Sequence, residues 1–376
     1  MIPDSFKGSL SSLEFCQIAK KVLSGILPEC HARFIPAADG GEGTVDALLT
    51  AVGGKKIRLG VEGPLGEKVP SFFGILPDGT AVIESAAAAG LPLTHGKRLV
   101  MKATTYGVGQ LIRAALDRGC RKLLVGMGGT ATNDGGTGLA AALGARFLDQ
   151  DGREFLPAGG TLSKIRKIDL KNIDPRVRKT EITAMCDVGS PLCGENGAAA
   201  VFGPQKGASA AEVTELDDGL HHLADLIRRA FSVDVLNLPG GGAAGGMGAG
   251  MAAFCGARLQ KGIETVLGAV HFDELLPGTD LVVTGEGCLD GQSLQGKVIS
   301  GIAAHTSRQN IPLIAVAGDV KISAETAAEH GIGAAFSINR VSGPFEILRE
   351  RSSRDLEETL ENIFRLCRIV QKGESA

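Results

Sequence analysis

The stretch Asp280-Leu-Val-Val-Thr-Gly-Glu-Gly-Cys-Leu-Asp-Gly-Gln-Ser-Leu-Gln-Gly-Lys297 begins as an apolar run and continues into a glycine-rich loop with two carboxylates and a lysine. The apolar run predicts a buried strand, and such a loop after a buried strand is typical of open α/β sheets. Gly291, Gly296 and Lys297 match the first seven positions of the phosphate-binding pattern G-x-x-x-x-G-K-[ST]. Val298 stands where that pattern needs a Mg²⁺-binding hydroxyl, so a metal at this loop requires other ligands.

The rest of the C-terminal part continues this alternation. Residues 311–317 and 334–338 are further predicted strands, separated by helical patterns, and residues 356–370 form a closing helix. Strands that alternate with helices favour a doubly wound parallel sheet.

The N-terminal part shows the same rhythm. Ser11 and Glu14 form a capping box for a helix that Pro28 ends, and a second helix is predicted to start near Thr44. Residues 60–95 contain hairpin signals instead, and the βα rhythm returns from Thr105. This composition shift indicates a second domain.

Length and composition limit the classes of protein. A chain of 376 residues suggests two domains at roughly 100 to 200 residues each. With 54 glycines, no Trp and one Tyr, the core must be built from small and aliphatic residues joined by tight loops. The net charge of −3 comes with scattered basic residues, which favours a small-molecule partner over nucleic acid.

Cysteine and hydropathy patterns predict the compartment. The eight cysteines contain no C-x-x-C and the seven histidines no H-E-x-x-H, so there is no zinc signature. No run approaches the about 18 to 20 apolar residues of a membrane span, and residues 1–7 do not resemble a signal peptide. We therefore expect a soluble, cytoplasmic protein with reduced thiols.

Four glycine-rich loops carry polar residues: 39–44, 128–136, 239–246 and the loop that ends at Lys297. In an open α/β sheet such loops meet at the carboxyl ends of the strands, where backbone N–H groups can bind an anion. Alternatively, each is only a tight connection between a strand and a helix.

The loop 239–246 also fits the dinucleotide pattern G-x-G-x-x-G through Gly240, Gly242 and Gly245. Pro239 interrupts the preceding segment, and no acidic residue follows at the expected distance. A dehydrogenase is therefore a weak alternative.

Several charged residues fit phosphoryl transfer. Asp39, Asp187, Glu286 and Asp290 follow apolar strands, where an unpaired carboxylate is costly. Phosphoryl transfer needs carboxylates for Mg²⁺, a group that orients the attacking hydroxyl, and cations for the phosphates. Each carboxylate could instead cap a helix or close a loop.

Two further segments carry cations. Ser5 and Lys7 lie ahead of the first helix, which suits binding of a carboxylate or phosphate, and Lys206 follows Pro204-Gln. Alternatively, these are a solvated terminus and a surface turn.

Taken together, the loops resemble a known family. The matching strings are Pro3-Asp-Ser-Phe-Lys-Gly8, Ala38-Asp-Gly-Gly-Glu-Gly-Thr44, Gly128-Gly-Thr-Ala-Thr-Asn-Asp-Gly-Gly136, Cys186-Asp-Val188, Val201-Phe-Gly-Pro-Gln-Lys-Gly207, Gly241-Gly-Ala-Ala-Gly-Gly-Met-Gly-Ala-Gly250 and Thr284-Gly-Glu-Gly-x-x-Asp-Gly-Gln-Ser-x-x-Gly-Lys297. The chain resembles, over essentially its full length, the bacterial glycerate kinases that act in glyoxylate and glucarate breakdown.

This resemblance implies ATP- and Mg²⁺-dependent phosphorylation of D-glycerate, at the 2-hydroxyl, to 2-phosphoglycerate. It implies two α/β domains. A flavodoxin-like or Rossmann-like domain with a parallel sheet would comprise residues 1–57 and 275–376. A mixed α/β domain would be inserted at 58–274, with the active site in the cleft between them.

On these grounds we assign roles to individual residues. Catalytic roles fall to Asp187, Lys7 and Asp39, and Mg²⁺ binding to Glu286 and Asp290. Nucleotide-binding residues would be Gly128, Gly129, Thr130, Asn133, Asp134, Gly240, Gly241, Gly242, Gly291, Ser293 and Lys297. Substrate-binding residues would be Ser5, Lys7, Lys206 and Gly245.

The start of the chain departs from the family. Relatives carry several apolar residues before Pro3, which form a first strand, whereas only Met1 and Ile2 precede it here. A late start or a clipped strand would leave ladder groups of the neighbouring strands unpaired. We therefore expect reduced stability in this region.

Other functions stay open at this point. The enzyme could phosphorylate the 3-hydroxyl, or another small hydroxy acid such as hydroxypyruvate or tartronate. The protein could also bind a small acid or a nucleotide without turnover. The oligomeric state is open too, and homo-oligomers are compatible with the sequence.

Overall fold

The fold is described from a computed structural model over residues 1–6, 8–96, 99–294 and 296–374, with the backbone alone for 372–374. The α-helices there are α1 (Ser12–Ile26), α2 (Thr44–Val52), α3 (Ala86–Ala89), α4 (Tyr106–Asp117), α5 (Thr137–Ala142), α6 (Ala198–Phe202), α7 (Ala210–Phe231), α8 (Ala243–Cys255), α9 (Gly262–Ala269), α10 (Phe272–Leu275), α11 (Val298–Arg308), α12 (Ala324–Glu329) and α13 (Phe345–Glu374). The strands are β1 (Lys55–Glu62), β2 (Lys68–Ile75), β3 (Ala81–Glu84), β4 (Lys122–Gly126), β5 (Arg146–Leu148), β6 (Glu154–Phe155), β7 (Lys167–Asp169), β8 (Glu181–Met185), β9 (Arg258–Gln260), β10 (Val282–Leu289), β11 (Leu313–Val320) and β12 (Ala334–Ser337).

The chain forms two compact units. Unit 1 comprises Met1–Asp39 and Ile263–Ala376, and unit 2 comprises Gly40–Gly262. One unit is therefore built from both chain ends and the other from the continuous middle.

Unit 1 contains a parallel sheet in which β10, β11 and β12 are neighbours in that order. The first residues extend this sheet, because the N–H groups of Ile2 and Asp4 donate to Val283 O at 2.8 Å and Gly285 O at 2.7 Å. On their other side, the N–H groups of Ile35 and Ala37 donate to Met1 O and Pro3 O, each at 2.9 Å. Residues 1–4 thus pair on both sides, and the unpaired ladder expected at the chain start is not found there.

The resulting order is 35–37, 1–4, β10, β11, β12, which is the 2-1-3-4-5 order of flavodoxin-like sheets. From segment 1–4, the next segment along the chain, 35–37, lies on one side, whereas β10 and the strands after it lie on the other side. The switch point of the sheet therefore lies between segment 1–4 and β10. Ligands of such folds bind outside the carboxyl ends of the strands at that switch point. The flavodoxin-like fold expected for the domain built from both chain ends is confirmed.

The first helix forms as its sequence predicts. Ser11 Oγ accepts a hydrogen bond from the N–H of Glu14, whose carboxylate in turn accepts from the N–H of Ser11 at 2.8 Å. Phe15, Ala19 and Val22 then lie on the buried face of α1 and pack into the core of unit 1. Local capping and periodicity therefore determine this element.

Unit 2 is built on a mixed sheet with the order β1-β2-β3-β4-β8-β9. The β1–β2 and β2–β3 pairs are antiparallel, whereas β3, β4, β8 and β9 are parallel neighbours. A small antiparallel sheet, β6-β5-β7, accompanies it. The parallel half brings the loops after β4 and β8 to one edge.

The unit boundaries differ from the domain boundaries at 57/58 and 274/275 that the sequence suggested. Helix α2 falls in unit 2 because it contacts β2 and β3, and its Val45 N–H donates to the buried Glu84 carboxylate at 2.7 Å. Nearly all of α9, from Ile263, falls in unit 1 with α10, because both helices supply partners to α11.

No helix within the described ranges is long and apolar enough to cross a membrane.

A buried histidine joins three helices of unit 1. His305 of α11 is 8% exposed, and its ring nitrogens lie 2.6 Å from Asp273 Oδ1 and 3.1 Å from Glu264 Oε2. Burial disfavours the imidazolium, but the two carboxylates outweigh it and raise the pKa of His305 above its ordinary value. The charged histidine therefore holds α9 and α10 against α11.

This pair of contacts predicts a pH-dependent stability. A group whose pKa is higher in the folded state stabilises it fully below the unfolded-state value, and this contribution is lost as the pH rises through the folded-state value. The free energy of unfolding of the native protein should exceed that of His305→Gln by more at pH 5.5 than at pH 8.5. Urea denaturation of both proteins across this range measures the difference.

His330→Gln, at the exposed C-cap of α12, serves as the control for the loss of one imidazole. A His305→Gln protein that differs from the native one by the same free energy at every pH would contradict the charged bridge.

Candidate functional site

The carboxyl ends of the unit 1 strands carry acidic residues in neighbouring positions. Asp4 follows the paired residues 1–3, Glu286 lies near the end of β10, and Asp319 lies near the end of β11. Asp39 follows the paired segment 35–37. Asp4 and Glu286 therefore lie on the two strands that flank the switch point, where the fold places ligands.

Glu286 is the most deeply placed of these groups. It is 7% exposed and is in register with Ala317 of β11. A carboxylate at such a depth is costly unless a cation or hydrogen-bond donors stabilise it. This is a setting in which a carboxylate can bind a metal cation.

Asp290 shapes the loop after β10. Its Oδ1 accepts hydrogen bonds from the N–H groups of Gln292 at 2.9 Å and Ser293 at 3.2 Å. Slight desolvation opposes ionisation, but these donors and Lys297 prevail and lower the pKa of the carboxyl. Asp290 is therefore an ionised, oriented carboxylate.

Ser293, expected to bind the nucleotide, serves the loop itself. It is 1% exposed, and its hydroxyl donates to Cys288 O at 3.0 Å and accepts from the N–H of Asp290 at 3.1 Å. Gly291 is exposed, and a Cβ added to it would meet no other atom within 4 Å, so its backbone lies open.

The loop ends at a helix start, as in a phosphate-binding loop. Lys297 is the N-cap residue of α11, and its Nζ lies 3.4 Å from Gln292 Oε1. Val298 is 1% exposed because it packs into the core as the first residue of α11. A buried aliphatic side chain at this position explains why the pattern has no hydroxyl there.

The structure describes only some of the site residues predicted near the N-terminus. Ser5 lies beside the switch point, and its N–H donates to Asp4 Oδ1 at 2.7 Å. Lys7, expected to be catalytic, lies outside the described residues.

In unit 2, Asp134 organises the loop after β4. This side chain is 0% exposed, and its Oδ2 accepts from the N–H of Thr105 at 2.7 Å, from Thr105 Oγ1 at 2.9 Å and from the N–H of Gly138 at 3.2 Å. Its Oδ1 accepts from the N–H of Gly136 at 3.1 Å. Thr105 and Gly136 are the N-cap residues of α4 and α5, so one carboxylate holds two helix starts.

These bonds give Asp134 a structural role in place of the expected nucleotide contact. Burial raises the pKa of its carboxyl above the ordinary value, while the donors of Thr105, Gly136 and Gly138 oppose that rise. With both oxygens engaged inside the protein, this carboxylate is not oriented toward a ligand.

Lys206 is buried beside the same loop. It ends the short 3₁₀-helix Pro204–Lys206, is 5% exposed, and donates through Nζ to Thr132 O at 2.7 Å. Burial lowers the pKa of its ammonium to about 8, and the Asp134 carboxylate limits this fall. The segment is thus a turn in which Pro204 and Gln205 are exposed, whereas the lysine side chain is buried.

The loop after β4 also contains polar atoms without hydrogen-bond partners. Within the described residues these are the side-chain atoms Thr130 Oγ1, Thr132 Oγ1, Asn133 Oδ1 and Asn133 Nδ2, all buried. The backbone N–H of Gly128 is engaged by Gly40 O at 3.4 Å.

The glycines of loop 239–246 pack against protein backbone. A Cβ on Gly242 would collide with Pro191 O, and one on Gly245 with Thr132 O. The N–H groups of Gly241 and Gly242 donate to Leu238 O at 2.8 Å and Ser190 O at 3.1 Å. These two N–H groups therefore do not face a phosphate, and the dinucleotide pattern is a packing feature.

The same loop contains a left-handed stretch. Ala244, Gly245 and Gly246 have φ values of 52°, 67° and 85° at the start of α8. Gly245 O accepts from the N–H of Gly135 at 3.0 Å, which fixes this loop to the loop after β4. The conformation is costly for Ala244, whose Cβ disfavours positive φ.

Asp187 follows β8. Its Oδ1 accepts a hydrogen bond from the N–H of Gly262 at 2.8 Å, which orients the carboxylate. Gly240 lies close by, because a Cβ there would lie 2.9 Å from Cys186 Sγ.

Several contacts of the candidate site residues were not predicted from the sequence. Thr105 anchors Asp134, Thr132 O binds Lys206, and Lys321 places its Nζ 3.6 Å from Asp319 Oδ2 at the end of β11. Asp319 and Lys321 follow a predicted strand, so the rule that identified Glu286 could have found them. The other two contacts join distant segments and have no local signal.

The role of Asp134 can be tested by removing it. Asp134→Ala leaves its four donors unsatisfied and Lys206 without a nearby carboxylate, so the free energy of unfolding should fall by about 3 kcal/mol or more. Urea denaturation followed by circular dichroism measures this loss. The exposed Asp151→Ala should stay within about 0.5 kcal/mol of the native protein. A stable Asp134→Ala protein that fails to bind nucleotide would contradict the structural role.

Comparisons with known proteins agree with this architecture. The Glycerate kinase family matches residues 1–368. Glycerate kinase of Bacillus subtilis (strain 168) is 44% identical over 363 residues, covering 96% of this chain and 95% of the relative. Glycerate 2-kinase of Escherichia coli (strain K12) is 46% identical over 338 residues, covering 89% of each.

A solved structure of a similar protein has the same fold. A crystal structure assigned as glycerate kinase 2 from Salmonella typhimurium LT2 superimposes with a TM-score of 0.88 at 42% identity, covering 99% of this chain and 98% of that one. Two α/β domains and an enzyme of the kinase class are thereby confirmed. The chain belongs to the glycerate kinase family.

Proposed function

We propose that this kinase transfers the γ-phosphoryl group of ATP to the 2-hydroxyl of D-glycerate, with Mg²⁺, and releases ADP and 2-phosphoglycerate. The observation that carries the position of transfer is the 46% identity to a relative named glycerate 2-kinase. Unit 1 has carboxylates at its switch point and unit 2 has a buried lysine, and phosphoryl transfer uses charges of both kinds.

The donor set in unit 1 fits Mg²⁺. Glu286 and Asp290 offer carboxylate oxygens, the ligands that Mg²⁺ prefers. Within the described ranges no group of three or more His, Cys, Asp or Glu could hold a metal alone. Mg²⁺ usually binds one or two carboxylates together with substrate phosphates, and two carboxylates suit that mode. The bound ion would neutralise charge on the transferring phosphoryl group.

The protein's own residues would supply the remaining contacts. Lys297, at the start of α11, would contact the nucleotide phosphates with the help of the helix N-terminus. The open backbone of Gly291 and the turn at Gly128 and Gly129 would lie against the nucleotide. Asp39, Ser5 and Lys7 would act on the acid or on the transferring group.

Asp187 would orient the attacking hydroxyl and accept its proton. The hydroxyl oxygen forms the new bond to the γ-phosphorus, the bond from phosphorus to the bridging oxygen of ADP breaks, and the proton passes to the carboxylate. The hydrogen bond from Gly262 holds Asp187 in one orientation, which reduces the reorganisation needed for this step.

The reaction can be tested directly. Purified protein with ATP, Mg²⁺ and D-glycerate should release ADP, and phosphorus NMR should show 2-phosphoglycerate. Hydroxypyruvate, tartronate and reactions without Mg²⁺ serve as comparisons. Formation of 3-phosphoglycerate, or no ADP release with D-glycerate, would refute the proposal.

Asp187→Asn tests the proton acceptor. The amide keeps an oxygen for the Gly262 N–H but cannot accept the proton, so kcat should fall by about 10²-fold to 10⁴-fold while the KM for D-glycerate changes little. Asp218→Asn, on the exposed face of α7, should leave kcat unchanged. Near-normal turnover by a folded Asp187→Asn protein would remove Asp187 from this role.

Glu286→Gln tests the metal site. The amide is a weaker ligand, so the Mg²⁺ concentration for half-maximal rate should rise about tenfold or more. Titration of the Mn²⁺–ADP complex by calorimetry gives a readout independent of turnover. Glu325→Gln, exposed in the first turn of α12, is the matched control. Unchanged metal affinity in Glu286→Gln would exclude Glu286 as a ligand.

A further inference from the structure

Four side chains of unit 2 form what we term the Asn133 cluster: Thr130, Thr132, Asn133 and Lys206. Their exposed fractions are 3%, 0%, 0% and 5%. Lys206 reaches the loop directly, since its Nζ donates to Thr132 O at 2.7 Å. The cluster lies at the carboxyl end of β4, within the parallel half of the sheet.

The cluster is unusual because its polar atoms are buried and unsatisfied. Both amide atoms of Asn133 and both threonine hydroxyls lack a hydrogen-bond partner among the described residues. Buried polar groups in native proteins are almost always hydrogen-bonded, and each exception costs roughly 1 to 3 kcal/mol. Four such atoms within four consecutive residues indicate a missing polar partner.

The neighbouring Asp134 shows that this loop can satisfy its polar groups when its role is structural. Its two oxygens accept four hydrogen bonds within the same buried setting. Asn133, one residue earlier, has none for its side chain. This contrast between adjacent residues points to a ligand as the partner of Asn133.

The donors and acceptors of the cluster define the chemistry of that ligand. Asn133 needs one acceptor and one donor, whichever way its amide is oriented. Lys206 has three N–H donors, of which Thr132 O takes one, so it can add a hydrogen bond to an anion alongside the nearby Asp134 carboxylate. The fully ionised phosphates of a nucleotide offer acceptors only and leave the amide oxygen of Asn133 unsatisfied, whereas a hydroxy acid offers a carboxylate for the lysine and a hydroxyl for the amide.

The backbone of Asn133 is closely packed. A Cβ on Gly245 would lie 2.5 Å from Asn133 Cα, and one on Gly159 would lie 3.2 Å from Asn133 O. Protein backbone therefore approaches Asn133 from two sides.

We propose that the Asn133 cluster is the receptor for the hydroxy-acid substrate, with Lys206 at its carboxylate and the Asn133 amide at one of its hydroxyls. This rests on the proposed function, and it reassigns Thr130 and Asn133 from the nucleotide to the acid. Because Asn133 is 0% exposed, the acid enters when the loop opens locally. Acid binding then satisfies the cluster and closes the loop.

Asn133→Leu tests the receptor by removing both amide atoms at nearly constant volume. The dissociation constant of D-glycerate, measured by calorimetry without nucleotide, and the KM should rise about tenfold or more. The thermal midpoint of the acid-free protein should rise, because two unsatisfied buried atoms are gone. Asn172→Leu, exposed in the same unit, should change neither quantity.

Substrate analogues that lack one hydroxyl group provide a second test. The native enzyme should discriminate strongly against D-lactate and 3-hydroxypropionate, which each lack one hydroxyl of glycerate. Asn133→Leu should lose most of its discrimination against at least one of them. Asn133→Ala provides the same comparison should the leucine variant fail to fold.

The outcomes separate this inference from the proposed function. If the native protein does not phosphorylate D-glycerate, the proposed function fails first. If it does, and a folded Asn133 variant keeps the native affinity for glycerate and its discrimination, the receptor is refuted. A lowered thermal midpoint with unchanged affinity would show that ordered water, and not the acid, satisfies the amide.

Discussion

Close contact between the backbones of glycine-rich loops is the constraint on which unit 2 depends. A Cβ on Gly126 would collide with Gly40 O, and one on Gly250 with Gly135 O. The loop 39–44 can therefore approach β4, and helix α8 the loop after β4, only because these positions lack side chains. These contacts bury the polar groups of the loops away from bulk water, so each group needs a partner within the protein, in ordered water or in a ligand.

Because bulk water does not reach these loops, the buried charges of unit 2 lie next to groups that can stabilise them. The Asp134 carboxylate accepts hydrogen bonds from donors at two helix starts. It also interacts electrostatically with the ammonium of Lys206. Such a pair contributes less to stability than its geometry suggests, because both groups lose their hydration. What it does provide is a cation placed beside the loop after β4.

Much of the fold could be predicted from the sequence. The capping box of α1, the strands β10 to β12 and the hairpins of β1 to β3 all have local signals of capping, periodicity and turn chemistry. The family also followed from the loop motifs, and it is confirmed by the comparisons. Local patterns sufficed here because each of these elements is determined by residues near one another in the chain.

The parts that could not be predicted depend on distant partners. Asp134 bonds to Thr105, and Lys206 to Thr132, across 29 and 74 positions. The glycines of loop 239–246 match a nucleotide motif by spacing, yet they serve to admit Pro191 and Thr132. Similarly, the unit boundary before α2 depends on Glu84, which lies 39 positions beyond Val45. Whether a polar residue serves a loop or a ligand is decided by contacts that spacing does not encode.

The pairing of residues 1–4 with β10 has a consequence for synthesis of the protein. Unit 2 is continuous from Gly40 to Gly262, so it can complete its core as soon as that stretch has left the ribosome. The first four residues must wait for Val283 and Gly285 before their ladder can close. Residues 1–4 are thus made before unit 2 but are fully paired only after it, and an apolar stretch of nascent chain stays exposed until the sheet of unit 1 assembles around it.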